Sequence, residues 1–265
     1  MKRQINQKKS IKQRKELNSS IKSSFTSEAL TNYSGISSIY KFIKKLNILQ
    51  EFDSIGIPIG SNRKYETSQI YMLIIFGLLC SANRLNKMEV FSQDALVQEL
   101  LGLSGSIDAE TISNRIKRNN LGTNSILIDI IGKLSNKIHS KISNTNDILD
   151  LDSTVRTVYG HQEGSCKGFN SHKRGAKSYH PLLGFLQSTK ECLCSWFRSG
   201  DAYTSNNCVA FLEQTFRHIS SGIRELLVRA DSGFFDGKIL TSIESRANTD
   251  YIIKVKMKGL RRNRV

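Results

Sequence analysis

Cysteine is sparse and unpaired: five residues in a chain of 265, with no CxxC spacing among them. That pattern argues against a disulfide framework or a zinc ribbon and suits a reducing interior. His161, Cys166 and His172 come nearest to a metal cluster, but they are spread through a glycine-containing loop and read as ordinary loop residues. Long apolar runs are missing too. The longest, IYMLIIFGLLC at 70–80, would extend only about 16 Å as a helix against the roughly 30 Å core of a bilayer. It reads as a buried helix, and no membrane partner is expected. The basic opening MKRQINQKKSIKQRKEL lacks the apolar segment and cleavage site of a secretory signal, so a cytoplasmic, nucleoid-associated location is expected. A glycine-flanked nucleophile elbow is also missing. Ser153 and Ser232 each adjoin an aspartate, yet acyl transfer is not indicated.

Acidic residues are in deficit. Asp and Glu number 23 against 39 Lys and Arg, for a formal charge of +16 and a pI near 9.7. Such a chain gains by displacing the counterions condensed on a polyanion, which makes nucleic acid the first expected partner. A hydrophobic content of 38% can fill one large core or two modest ones.

Residues 1–20 carry Lys2, Arg3, Lys8, Lys9, Lys12, Arg14 and Lys15 with few apolar side chains and read as a flexible basic arm. From Ser37 the pattern turns helical, with Ile39, Phe42, Ile43 and Leu46 on one stripe and a longer apolar helix after Glu66. In SGSIDAETISNRIKR, at 104–118, Asp108 caps a helix with Ile112 and Ile116 inward. Asn114, Arg115, Lys117 and Arg118 then face out, the shape of a helix-turn-helix reader. A final helix with Ile126, Ile130, Leu134, Ile138 and Ile142 on its stripe ends in the polar link SNTND, at 143–147. The first half, 21–146, is expected to be all-α.

After the link, strands take over. ILDLDSTVRTV is followed by a basic loop at 160–179, then by HPLLGFLQS and ECLCSWFRS, which read as a hairpin. Thr204 or Ser205 opens a helix with Val209, Phe211, Leu212, Phe216 and Ile219 inward; ELLVRADSGFF is strand and turn, 237–247 is helical, and DYIIKVKM is a strand. The order is βββαβαβ. Within the first strand Asp150 and Asp152 sit among Ile148, Leu149 and Leu151, where an unpartnered buried carboxylate costs several kcal/mol. A cation would answer that cost. The element order is that of the ribonuclease H fold, in which the first and fourth strands lie side by side, about 4.8 Å apart. Asp152 on the first strand and Asp231 at the end of the fourth can then share a divalent cation, with Asp150 as a further ligand or an outer acceptor. Paired metals at such carboxylates suit phosphodiester chemistry without a protein nucleophile.

The stretches DLDSTVRTVYGHQEGSCKGFN, SYHPLLGF, VRADSGFF and DYIIKVKMK resemble, in order and spacing, the DDE-type insertion-sequence transposases, specifically the bacterial kind with a D-x-D-S-T first motif. The likeness covers about 148–258 closely and the helical half more loosely. It implies an enzyme that binds terminal inverted repeats, nicks the element ends with Mg2+ or Mn2+ and joins the freed 3′ hydroxyl to target DNA, acting as a homo-oligomer on DNA. By match, Asp152 and Asp231 are the first and second acids. The glycine-rich basic loop with Lys167, Lys173, Arg174 and Lys177 becomes a DNA-facing segment.

Two departures accompany the likeness. The family's third acid, a glutamate on a helix after the fifth strand within a Tyr-Arg-Glu-Lys type signature, has no counterpart before the sequence stops at MKGLRRNRV. Glu244 is the best substitute by type, but it falls on the helix between the fourth and fifth strands, away from the first strand's acid. Asp201 stands where the family commonly shows asparagine. The expectation is therefore an α+β protein: an N-terminal all-α DNA-binding and assembly region, then a retroviral integrase-like ribonuclease H domain at 147–265 that is incomplete at its C-terminus. It would be a transposase of weak or absent activity; the competing expectation is a non-catalytic DNA-binding regulator of the full-length enzyme.

Overall fold

The computed structural model describes residues 31–47, 51–52, 55, 64–142 and 145–255. The basic arm at 1–20 lies outside these residues, as does the final stretch from 256.

Among the described residues, the helices of the first half are α1 (Ile36–Lys45), α2 (Thr67–Leu79), α3 (Leu85–Ser92), α4 (Ala95–Leu101), α5 (Ala109–Lys117) and α6 (Leu121–His139). Local chemistry fixes where they start. Glu66 and Gln69 form a capping box at α2, Asp94 accepts the N–H groups of Leu96 and Val97 at α4, and Asp108 accepts that of Thr111 at α5. The apolar run at 70–80 is α2, and Ile70, Leu73 and Phe76 on it are fully buried with Phe91, Ile107 and Ile112. No helix among the described residues is long and apolar enough to cross a membrane.

Three helical stripes differ from the expected ones. On α1 the buried residue is Ile36, with Tyr40 and Ile43 leaning on the core, whereas Ile39 and Phe42 are exposed. On α5, Ile112 and Arg115 point inward and Ile116 outward. Arg115 donates from Nη1 to Thr67 Oγ1 at 2.8 Å and from Nη2 to the Tyr65 carbonyl at 3.5 Å. Arg115 is thus a core fastener between α5 and the start of α2, not an outward DNA contact. Lys117 and Arg118 are exposed as expected. On α6 Ile138 is exposed, as is Ile142 beyond its end, and the buried positions near its end are Ser135 and His139. The reason is that α6 serves two cores: Ile126, Leu127 and Leu134 pack toward the helical one and Ile128 toward the sheet. His218 also presses so close to Gly132 that a Cβ there would lie 2.4 Å from the ring.

The second half holds β1 (Asn146–Ser153), β2 (Arg156–Thr157), β3 (Cys166–Lys167), β4 (Lys177–Tyr179), β5 (Leu182–Leu186), β6 (Cys192–Trp196), α7 (Cys208–His218), β7 (Glu225–Ala230), α8 (Gly237–Glu244) and β8 (Thr249–Ile253). Five strands form a mixed sheet in the order β6-β5-β1-β7-β8. β1 runs antiparallel to β5 and parallel to β7, and β7 parallel to β8. This is the βββαβαβ order, with its first and fourth strands adjacent and parallel. Leu149, Leu151, Leu182, Leu186, Leu226 and Val228 face Phe211, Leu212, Ile239 and Ile243 of α7 and α8, forming one core.

The stretch read as a single first strand breaks after Ser153, and the expected loop at 160–179 contains β3 and β4. Together β2, β4 and β3 make a separate three-stranded sheet. Strands of two and three residues carry no periodicity, so the sequence gives no sign of them. α7 also starts at Cys208 rather than at Thr204 or Ser205. Arg198 donates to the carbonyls of His180, Tyr203 and Asn206, which holds 203–206 as a turn, and Asn207 then enters the helix at φ 57°.

Candidate active site

β1 alternates strictly. Leu149 and Leu151 point into the core, so Asp150 and Asp152 point to the opposite face, and both keep contact with solvent. Of the two acids expected to be buried, Asp152 is therefore exposed and Asp150 half-buried. The buried carboxylate of this strand is Asp147, a residue that the sequence did not single out. It accepts the N–H groups of Ile148 and Ser188 and the Ser188 hydroxyl, and so ties β1 to the β5–β6 turn.

The β1–β7 register ends with Leu151 opposite Ala230, and one residue further along each strand come Asp152 and Asp231. Neighbouring strands lie about 4.8 Å apart, which sets these two exposed residues at adjacent backbone positions at the C-terminal end of the parallel pair. Both have local supports. Asp152 Oδ1 accepts the Ser153 N–H at 2.8 Å, and Asp231 Oδ1 accepts the Gly233 N–H at 2.8 Å. Each keeps a second oxygen with no protein partner among the described residues, a donor set suited to a hard divalent cation. Within the same limits, no third His, Cys, Asp or Glu joins them in a three-ligand group.

Thr204 lies between the two acid-bearing segments. Its hydroxyl is 3.0 Å from that of Ser153, and a Cβ built on Gly233 would come within 3.0 Å of Thr204 Oγ1 and of Asp231 Oδ1. The residue at 233 must therefore be small. The sequence placed Thr204 at a helix start and saw no part for it here.

Asp150 is engaged elsewhere. Its two oxygens accept from Arg229 Nε at 2.6 Å and Nη2 at 2.8 Å, a bidentate pair directly across the register, and the carboxylate holds the guanidinium pKa above its usual value. Glu244 accepts from the Tyr251 hydroxyl at 2.9 Å. Because α8 packs on the core side of the sheet, Glu244 lies on the face opposite Asp152. Lys167, Lys173 and Arg174 are exposed on the small sheet and its loop, and Lys177 is half-buried on β4. Lys173 Nζ stands 4.7 Å from the centroid of the Tyr159 ring.

The sheet order, with its first and fourth strands adjacent and parallel, is that of a ribonuclease H-like fold. A family model described as transposase DDE domain group 1 matches residues 13–263. The chain belongs to that DDE transposase family. No curated protein matches it. Among solved structures, it is similar to a piggyBac transposase synaptic complex with hairpin DNA, at 12% identity and a TM-score of 0.40, over 83% of this chain and 51% of that one. It is also similar to a Mos1 transposase paired-end complex with the left transposon end, at 11% identity and a TM-score of 0.30, over 86% and 69%. A Mos1 mariner paired-end complex with Mn matches at 12% identity and a TM-score of 0.28, over 80% and 66%. The chain thus spans about half the length of the piggyBac transposase chain.

Proposed function

We propose that this protein is a DNA transposase that cuts phosphodiester bonds at insertion-sequence ends and transfers the freed strand to target DNA. Asp152 and Asp231 would hold Mg2+ or Mn2+. What supports this reading is the register, which ends at the Leu151–Ala230 pair and is followed on each strand by an exposed aspartate. When bound, the cation supplies Lewis-acid stabilisation of an in-line displacement at phosphorus.

The chain's own residues divide the remaining work. Ser153 and Thr204 brace the strand end that bears Asp152, and the Asp231–Gly233 hydrogen bond orients the second carboxylate. Lys167, Lys173, Arg174 and Lys177 bind phosphates beside the acids, and Lys117 and Arg118 do so on the helical half, where they position duplex DNA without reading its bases. Arg115 has no such part, being committed to Thr67 and Tyr65. The partners in this reading are terminal inverted repeats and target duplex, bound by a homo-oligomer, in the cytoplasm at the nucleoid.

Mn2+ binding by the full chain, followed by electron paramagnetic resonance alongside nicking of a terminal-repeat duplex, tests the reading. Asp152→Ala and Asp231→Ala should each abolish Mn2+ binding and lower any cutting by on the order of a thousandfold. Salt-sensitive DNA binding should persist in both variants. Chelator-resistant DNA binding with no Mn2+ site would instead make the chain a non-catalytic regulator.

A further inference from the structure

Residues 154–181 leave β1 immediately beyond Asp152 and return as β5, and between these points they fold into the β2-β4-β3 sheet. The 199–207 loop is pinned across that sheet. A Cβ on Gly168 would lie 1.8 Å from the Gly200 carbonyl oxygen, and one on Gly200 would strike the carbonyls of Ser178 and Cys166 at 2.4 and 2.5 Å, so only two glycines can meet there. Arg198 clamps the far side of the loop through the carbonyls of Tyr203 and Asn206. The result is a braced lobe next to the acid pair.

The lobe's surface is unusual in composition. Tyr159 and Phe169 are each 73% exposed and Tyr203 is 71% exposed. Scattered exposed aromatics are ordinary on any protein surface. Here, however, every exposed Phe or Tyr among the described residues except Phe42 lies on this lobe, on its border with β6 at Phe197, or in the Asp231 turn at Phe235. The exposed cations Lys167, Lys173 and Arg174 alternate with them, and Lys173 already stands over the Tyr159 ring. Phosphate binding needs the cations and gains little from the rings. Aromatic rings held open to solvent between cations match a strand whose bases present their faces, and those faces are hidden in paired duplex.

We infer that this lobe is a stacking surface for unpaired bases of a DNA strand, with Tyr159, Phe169 and Tyr203 as the stacking rings and Lys167, Lys173 and Arg174 following its backbone. The inference rests on the DNA reading above and adds to it a preference for strand that has been opened. Duplex DNA would then be held mainly by charge, and an unpaired segment by rings and charge together.

Fluorescence polarisation with the full chain tests this, using a labelled single-stranded oligonucleotide and the same sequence as duplex, at matched ionic strength. Tyr159→Ala, Phe169→Ala and Tyr203→Ala should each weaken the single strand about tenfold and the duplex less than about twofold. Tyr159→Phe and Tyr203→Phe should retain the single-strand affinity, because the ring and not the hydroxyl stacks. Lys173→Gln should weaken both strands. With 2-aminopurine in the single strand, wild type should quench its emission and the alanine variants should not. Alanine variants that bind the single strand as wild type does, or that lose both forms equally, would overturn the stacking surface while leaving the DNA reading intact. A wild-type chain that binds neither form in a salt-dependent way would overturn both.

Discussion

On β1, Leu149 and Leu151 are buried under α7 and α8, while Asp150 and Asp152, their immediate neighbours, open onto the other face of the same sheet. The core face repeats this on β5 and β7, with Leu182, Leu186, Leu226 and Val228, whereas β6 buries the consecutive Leu193 and Cys194. The open face carries Asp150, Asp152, Arg229, Asp250 and the exposed Ile252 instead. Strand alternation alone separates these two environments, so a single strand can be close-packed on one side and polar and open to solvent on the other. Substitutions on the core face should register in stability, and those on the open face in metal or ligand binding.

The largest stability effect should come from Phe211, which is fully buried and meets Trp196 edge-on at a centroid distance of 5.7 Å. Phe211→Ala should cost about 3–5 kcal/mol, a large part of the stability of an ordinary domain, and urea denaturation of the full chain measures it. A loss under about 1 kcal/mol would mean that the core face is not the packed one.

Much of this division was legible in the sequence, and the failures have identifiable causes. The element order and the neighbouring strand-end positions of Asp152 and Asp231 followed from strands of five or more residues, long enough to show a period. Asp108 as a helix cap followed from local chemistry, since its partner Thr111 lies three residues on. Arg115 did not follow. An arginine is placed outward by default, and what turns it inward is a hydroxyl 48 residues away in sequence. Asp147 failed similarly, because Ser188, which makes its burial tolerable, belongs to a turn 41 residues further on. In the candidate site the strand positions of the two aspartates were readable, whereas the place of Thr204 was hidden because it depends on a loop that Arg198 folds back. Side chains whose partners are local, or whose strand is long, announce themselves; those satisfied across the fold do not.

A smaller effect should come from Thr204, which sits where the two faces' rules meet, half-buried yet touching both acid-bearing segments. Thr204→Val keeps the shape and removes the hydroxyl that meets Ser153, so it should lower stability by only about 1 kcal/mol. Mn2+ affinity should fall by roughly tenfold, the low end for loss of a hydrogen bond that supports a metal-binding strand. Thr204→Ser should restore the affinity. Equal Mn2+ binding in the valine variant would reduce Thr204 to a packing residue.

The smallest effect should come from Asp150, although it shares the open face with Asp152 and stands only two residues from it. Its carboxylate is fully engaged by Arg229, and that pair is exposed, the setting in which ion pairs contribute little to stability. Asp150→Asn should therefore leave the urea midpoint unchanged within error. It should also leave Mn2+ affinity unchanged, whereas Asp152→Asn removes it. The contrast separates being acidic on the open face from being acidic at the end of the strand: Asp150 lies opposite Arg229 within the register, and Asp152 lies one step past it, beside Asp231. A loss of Mn2+ affinity in Asp150→Asn equal to that in Asp152→Asn would show that the cation reaches back along the strand and competes with Arg229 for this carboxylate.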